Sequence, residues 1–305
     1  MEIVFSKFKK VADLCYELFG LAELPLFNSK FSNKIYSNFQ KLFLLVYKQS
    51  RKFTYEDLLT DLAGNEELRV CVGFTKLPHY TTLIKFAENL PSAILNKLVL
   101  AFQKLIPEPK KVAIDSTGIS LDNASLHYCK RIGLSFKKRP FMKSSFIVDI
   151  ENYLILLCKN RKGHRHDTID AKPMIKKFAK YYEPEIFYAD RGYDDNKIFK
   201  LVFENLGAYP LIFLKNQDVP KHKRSGEYRK RTFDEFDYGE YLQRNKIETF
   251  NSIYKRRFGS SVKSRTDKNQ KVEIGLRNVA YNIDRLIRIG KYIILVFTRI
   301  MRVSY

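Results

Sequence analysis

At Pro107-Glu108-Pro109 the periodicity of the chain changes, and that change bounds what it can fold into. Proline lacks an amide donor and restricts the residue before it, so two prolines within three residues stop a helix. Before this point apolar residues recur at helical spacing. Asn33 to Gln49 places Phe39, Leu42, Phe43, Val46 and Tyr47 along one face. Thr54-Tyr55-Glu56-Asp57 offers an N-cap followed by first-turn acids. Pro78 to Thr82 can open a helix ending near Asn89, and Pro91 another running to about Ile106.

After the prolines, short apolar runs alternate with helical stretches. Lys111–Leu121, Ser144–Ile150 and Tyr153–Lys159 read as strands, the last two joined by a tight hairpin at Glu151-Asn152. Asp167 can cap a helix through Tyr181. Pro184–Ala189 is a short buried strand, Asp195–Asn205 a helix and Tyr209–Leu214 a further strand. Residues 216–238 read as a polar, basic loop, and two helices follow at about 240–258 and 270–290. The order β-β-β-α-β-α-β-α-α predicts an α/β fold, a mixed sheet flanked by helices and preceded by a mostly helical region. The expected division is 1–106 (helical, for DNA-end binding or dimerisation), 107–290 (the catalytic sheet domain) and a 291–305 tail.

Charge narrows the partners. The 305 residues carry 55 Lys+Arg against 33 Asp+Glu, a net charge of +22. Residues 1–100 hold 13 basic and 10 acidic groups, so nearly the whole surplus lies beyond residue 100. Basic residues cluster at Lys137-Lys138-Arg139, at Arg161-Lys162, from Lys221 to Arg231, and from Lys255-Arg256-Arg257 through Lys263 and Arg265. Such a surplus favours a polyanion through counterion release and steering. Nucleic acid and an anionic membrane surface both fit, as does a merely solvated basic face. The apolar run Tyr292–Phe297 is far shorter than the roughly 20 residues a membrane span needs. Acidic residues at Asp13, Glu17 and Glu23 interrupt any leader-like apolar stretch, so a cytoplasmic protein is expected. Cys15, Cys71, Cys129 and Cys158 form no Cys-x-x-Cys pair, which argues against a zinc or disulfide scaffold. His164 and His166 read as a polar strand-end loop near DNA rather than a metal pair.

Three carboxylates stand where chemistry can be done. Asp115 interrupts the apolar strand Val112-Ala113-Ile114, where an unpaired carboxylate is costly. Asp190 closes the strand Ile186–Ala189 and precedes Arg191-Gly192-Tyr193; open α/β sheets place their sites at such strand ends. Each also has a plain structural reading, as a turn or capping aspartate. On a helical wheel starting at Tyr241, Arg244 falls at about 300°, Glu248 at about 340° and Lys255 at about 320°. Leu242, Ile247, Phe250, Ile253, Tyr254 and Phe258 fall on the other side, between about 100° and 260°. A charge-balanced surface helix has the same pattern. Two strand aspartates and a helix glutamate would make a hard-oxygen cluster suited to Mg²⁺ or Mn²⁺.

Three blocks, in order, resemble the DDE transposases of prokaryotic insertion sequences. They are Ile114-Asp115-Ser116-Thr117, then Ala189-Asp190-Arg191-Gly192-Tyr193-Asp194, then Tyr241-x₂-Arg244-x₃-Glu248-x₆-Lys255. The third matches the Tyr-Arg-Glu-Lys signature of one large transposase group at every position and gap. The resemblance implies an RNase H-like catalytic domain with Asp115, Asp190 and Glu248 holding two Mg²⁺ or Mn²⁺ ions. Tyr241, Arg244 and Lys255 would position phosphates or bases at the element's end. Arg256, Arg257, Lys263, Arg265, Lys137, Lys138, Arg139, Arg161, Lys162 and Arg191 would hold double-stranded DNA, with a homodimer on DNA and no membrane. The alternatives are a structure-selective nuclease of the same fold and an inactive DNA-binding derivative.

Overall fold

A computed structural model describes residues 7–31, 33–122, 141–215, 219–223 and 225–290. Lys137, Lys138, Arg139, Cys129 and the 291–305 tail lie outside them. The described chain forms two compact units. One comprises the described residues up to Leu105, with 257–259 and those from Ser264 onward; the other comprises Ile106–Arg256 with Ser260–Lys263. The break at 105/106 lies next to Pro107-Glu108-Pro109.

The first unit is helical: α1 (Lys7–Leu21), α2 (Asn38–Arg51), α3 (Tyr55–Gly64), α4 (Glu66–Val72), α5 (Tyr80–Asn89) and α6 (Ser92–Ala101). Ser37 and Thr54 open α2 and α3 with reciprocal capping boxes to Gln40 and Asp57. Every residue from Leu42 to Tyr47 is buried, so α2 is covered all round and forms the centre of the unit. The helix expected at 270–290 is observed at Asp267–Arg288 and packs against α1, α2, α5 and α6 rather than on the sheet. Its apolar face (Val272, Ile274, Leu276, Val279, Ile283) is evident in sequence, but an apolar face does not name its partner. Close approach to α6 depends on Gly275, where a Cβ would stand 2.6 Å from Leu95 Cδ1 and 3.1 Å from its Cβ. Gly275→Ala should therefore destabilise the unit by about 1–3 kcal/mol through overpacking, against a helix-propensity gain of about 1 kcal/mol. Urea unfolding followed by circular dichroism measures the net change.

The second unit is the predicted mixed sheet. Its strands are β1 (Lys111–Leu121), β2 (Phe141–Asp149), β3 (Leu154–Lys162), β4 (Ile186–Ala189), β5 (Tyr209–Ile212) and β6 (Ser261–Val262). The order is β3-β2-β1-β4-β5, with β6 paired to the far end of β1. β1–β2 and β2–β3 are antiparallel; β1–β4, β4–β5 and β1–β6 are parallel. The β2–β3 hairpin turns on buried Asp149, whose carboxylate accepts from the amides of Glu151 and Asn152 at 2.8 and 3.1 Å. The remaining helices are α7 (Asp167–Phe178), α8 (Asn196–Asn205), α9 (Glu227–Asp234), α10 (Tyr238–Tyr241), α11 (Asn245–Phe258) and, in the first unit, α12 (Asp267–Arg288). Strand residues Val112–Ile114, Phe146–Val148, Leu154–Leu157 and Phe187–Ala189 are buried, the near-continuous apolar pattern of a sheet covered on its faces.

Three local expectations are corrected. His166, not Asp167, caps α7; its side chain accepts from the Thr168 amide. The polar stretch 216–238 is not all loop, because α9 forms within it and buries Thr232. The helix expected from 240 is interrupted at Leu242–Arg244 by a 3₁₀ turn. Three residues per turn advance the chain faster than 3.6, so the wheel slips there. Leu242, placed on the apolar side in sequence, is exposed, and the buried stripe begins at Ile247.

Candidate active site at the β1–β4 strand ends

Register brings the two aspartates together. Ala113 on β1 pairs with Tyr188 on β4. Two residues on, β1 carries Asp115 and the chain leaving β4 carries Asp190. β1 has no β4 partner beyond Ala113 and regains a neighbour only at Ser120, through β6. The two carboxylates therefore stand where the sheet edge opens.

Asp115 is opposite Phe146 of β2, whose ring lies 5.4 Å from those of Phe250 and Tyr254 on α11. These contacts seat α11 across the Asp115 face. Between the two aromatics, Asn251 donates from Nδ2 to Asp115 Oδ2 at 2.7 Å. Asn251 falls at about 280° on the wheel that groups Arg244, Glu248 and Lys255, but an uncharged amide there has the same sequence signal as any solvated surface residue. Burial pushes the Asp115 carboxyl up to about 6, and the nearby Asp190 charge adds to the effect, while the Ser116 amide and Arg244 act against it.

Asp190 accepts from the Gly192 amide at 2.8 Å, in the short turn Arg191–Tyr193. A Cβ at Gly192 would lie 2.9 Å from the same carboxylate oxygen, so glycine there keeps Asp190 in place. On the other sheet face, buried Tyr193 reaches Ser116 Oγ at 3.2 Å, which in turn contacts Ser145 Oγ at 2.7 Å. Asp194 is fully buried and clamped: Arg229 on α9 meets both its oxygens at 2.7 Å, and the Lys215 amide donates to one of them at 2.7 Å. Asp194 closes the second sequence block and Arg229 lies in the Lys221–Arg231 basic run, but their pairing spans 35 residues and has no local sequence signal.

The glutamate helix is tied to the sheet below the site. Glu240 on α10 accepts from Lys111 at 2.6 Å and from the Tyr188 hydroxyl. Tyr241 Oη lies 3.5 Å from the Ala189 carbonyl, and its ring packs on Phe213 and Phe236. Glu248 is exposed and bound to Arg244 at 2.5 Å; the Arg244 charge also acts on Asp115, while Asp190 acts back on Arg244. Arg244 is thus paired with the helix glutamate while its charge acts on the strand aspartates.

Among the described residues no three His, Cys, Asp or Glu side chains stand close enough to hold an ion as a group. The donor chemistry of the pair fits one nevertheless. Asp115 and Asp190 are hard carboxylates near enough for the charge of one to act on the other, and burial raises Asp115 to about 6.

The other predicted contacts divide. Arg161 is committed to buried Asp170, and Arg257 to Asp284 at 2.6 Å. Arg191, Lys162, Arg256, Lys263 and Arg265 are exposed, and Lys255 is half-buried on α11.

The model of the family described as "Transposase DDE domain" matches residues 106–283, more than half of the chain. The chain belongs to the DDE transposase family. As a transposase it is an enzyme acting on DNA, and the mixed sheet with its helical N-terminal region is the fold expected from the resemblance. Among solved structures, the transposase is similar to a piggyBac transposase synaptic complex with hairpin DNA, determined by cryo-EM. Identity is 10% and the TM-score 0.42, over 93% of this chain and 75% of that chain. No curated protein matches the sequence. No helix among the described residues is long and apolar enough to cross a membrane.

Proposed function

We propose that this transposase binds the terminal inverted repeats of a prokaryotic insertion sequence, hydrolyses phosphodiesters there, and joins the freed 3′-hydroxyls to target DNA. It acts as a homodimer on DNA in the cytoplasm and belongs to the group with the Tyr-Arg-Glu-Lys signature. The observation that supports the reading is that Asp115 and Asp190 each follow the last β1–β4 pair, Ala113 and Tyr188, by two residues, with Asn251 of the glutamate helix bonded to Asp115.

Asp115, Asp190 and Glu248 hold the divalent ions, Mg²⁺ or Mn²⁺. Two such ions supply an activated water or 3′-hydroxyl and stabilise the leaving oxygen. The protein's part is positioning. Asn251 fixes which Asp115 oxygen faces the site, Gly192 orients Asp190, and Arg244 releases Glu248 as it takes a phosphate. Lys255 and the exposed arginines hold the backbone.

The test is cleavage of DNA carrying the sequences that flank the gene, in Mg²⁺ or Mn²⁺, with Glu248→Gln as control. Cleavage at the element boundary that vanishes in the variant is the expected result. Cleavage that persists in the variant removes Glu248 from the site, and binding without cleavage in the native protein overturns the catalytic reading. Arg244→Ala and Lys255→Ala should each weaken end binding and lower the slope of log K against log salt by about 1, as loss of one phosphate contact requires. Titrating affinity against salt concentration measures it.

A further inference from the structure

The segment that carries Glu248 is held on the sheet on either side of that residue in the chain. After it, Asn251 bonds to Asp115. Before it, Glu240 of α10 reaches two strands with one atom. Its Oε1 accepts from Lys111 Nζ at 2.6 Å and from the Tyr188 hydroxyl. Lys111 opens β1, and Tyr188 lies on β4 paired with Ala113. Alternation puts Lys111, Ala113 and Asp115 on one face of β1, and the Ala113–Tyr188 pair puts Tyr188 on that face too. A single carboxylate oxygen therefore ties α10 to both strands that lead to the aspartates. Tyr188 is fully buried, and among the described residues its hydroxyl donates to Glu240 alone. Lys111, ahead of Tyr188, holds the Glu240 carboxyl below its ordinary range, which keeps it a charged acceptor. Between Glu240 and Asn251 lie the 3₁₀ turn Leu242–Arg244 and the first turn of α11, with Arg244 and Glu248.

We propose that Glu240, held by Lys111 and Tyr188, is a positioning residue that sets where Glu248 stands relative to Asp115 and Asp190. The inference rests on the transposase reading above and adds to it a residue that touches neither DNA nor ion. Seating α10 on the sheet does not by itself require Glu240. The Tyr241 ring already packs on Phe213 and Phe236, and Asp237 already caps α10 through the Glu240 amide. Ring packing tolerates sliding, however, and a cap is internal to its helix. Two directional bonds from two strands to one oxygen fix α10 along the strands as well as against them. That precision matters to chemistry, where a 1 Å displacement can cost about 100-fold in rate.

The experiment uses the full-length protein and three variants, Glu240→Ala, Glu240→Gln and Tyr188→Phe. Each is measured for affinity to end-sequence DNA in EDTA, for Mn²⁺ binding by electron paramagnetic resonance, and for single-turnover cleavage in Mn²⁺. Glu240→Ala should keep native DNA affinity, bind Mn²⁺ about tenfold more weakly and cut about 100-fold more slowly, the range for residues that act through metal ligands. Glu240→Gln keeps an oxygen acceptor for Tyr188 and should recover most of both losses. Tyr188→Phe removes one hydroxyl and should reproduce part of them; it decides the matter if Glu240→Ala does not fold. A Glu240→Ala or Tyr188→Phe protein that is less stable but binds Mn²⁺ and cuts like the native one overturns the positioning role and leaves the transposase reading intact. Loss of DNA affinity in step with the rate also overturns it, since the residue would then act on binding. A native protein that neither binds Mn²⁺ nor cuts overturns the catalytic reading and this role together.

Discussion

Asp115→Asn should abolish metal-dependent cleavage, by on the order of a thousandfold, the scale on which one preorganised charge-stabilising group acts. In metal-free buffer the same change should make the protein more stable at neutral pH. The two effects have one cause. Asp115 is half-buried on β1 within reach of the Asp190 charge, and its carboxyl is raised from 3.8 to about 6, mainly by burial. A group whose pKa is higher in the folded state binds more protons there than in the unfolded chain. Its contribution to stability is complete below about 4 and is lost as pH rises through about 6. At 1.36 kcal/mol per pKa unit, the ionised form costs the fold roughly 2–4 kcal/mol at pH 7. Asparagine keeps the acceptor that Asn251 uses and removes the charge. The difference in unfolding free energy between variant and native protein should grow from pH 4 to pH 7, read by urea unfolding in EDTA. A constant difference over that range, or a variant that cuts normally, would remove Asp115 from the role of a strained metal-binding carboxylate.

Arg229→Ala should destabilise the sheet unit by about 3–5 kcal/mol, because it leaves the fully buried Asp194 carboxylate without its cation. The cost comes from the uncompensated charge more than from the lost pair. Replacing both partners by apolar residues of similar volume, Arg229→Met with Asp194→Leu, should therefore recover much of the stability. Thermal unfolding of the single and double variants separates the two explanations. Asp194 follows directly on the turn that carries Gly192 and Tyr193, so the single variant should also cut more slowly while the native-like double variant regains part of the rate. An Arg229→Ala protein as stable as the native one would show that Asp194 does not depend on the Arg229 charge.

Much of the fold was legible because local rules agreed. The prolines at 107 and 109 stop the helical periodicity, capping residues Ser37 and Thr54 start their helices, and strand runs with turn residues give the five main strands. The two-residue β6 carries too little sequence for any period to show, and α9 is polar enough to read as loop because its stability comes from Asp194 and Thr232 rather than an apolar stripe. The partner of α12 was invisible for a different reason: amphipathicity says that a face is buried, not against what.

The sequence by itself determined the order of elements, the charge imbalance, and the three acidic positions with their Tyr-Arg-Glu-Lys spacing, since each of these is a property of residues near one another in the chain. Only the tertiary structure decided that Asp115 and Asp190 each follow the last β1–β4 pair by two residues, that Asn251 reaches Asp115, that Arg244 holds Glu248, and that Arg229 neutralises Asp194. Three of these are contacts between distant segments, fixed by strand register and by the packing of Phe250 and Tyr254 on Phe146. Arg244 and Glu248 are only four residues apart, yet whether they meet depends on the 3₁₀ turn that ends at Arg244. Local periodicity carries no information about which of many compatible registers the core selects.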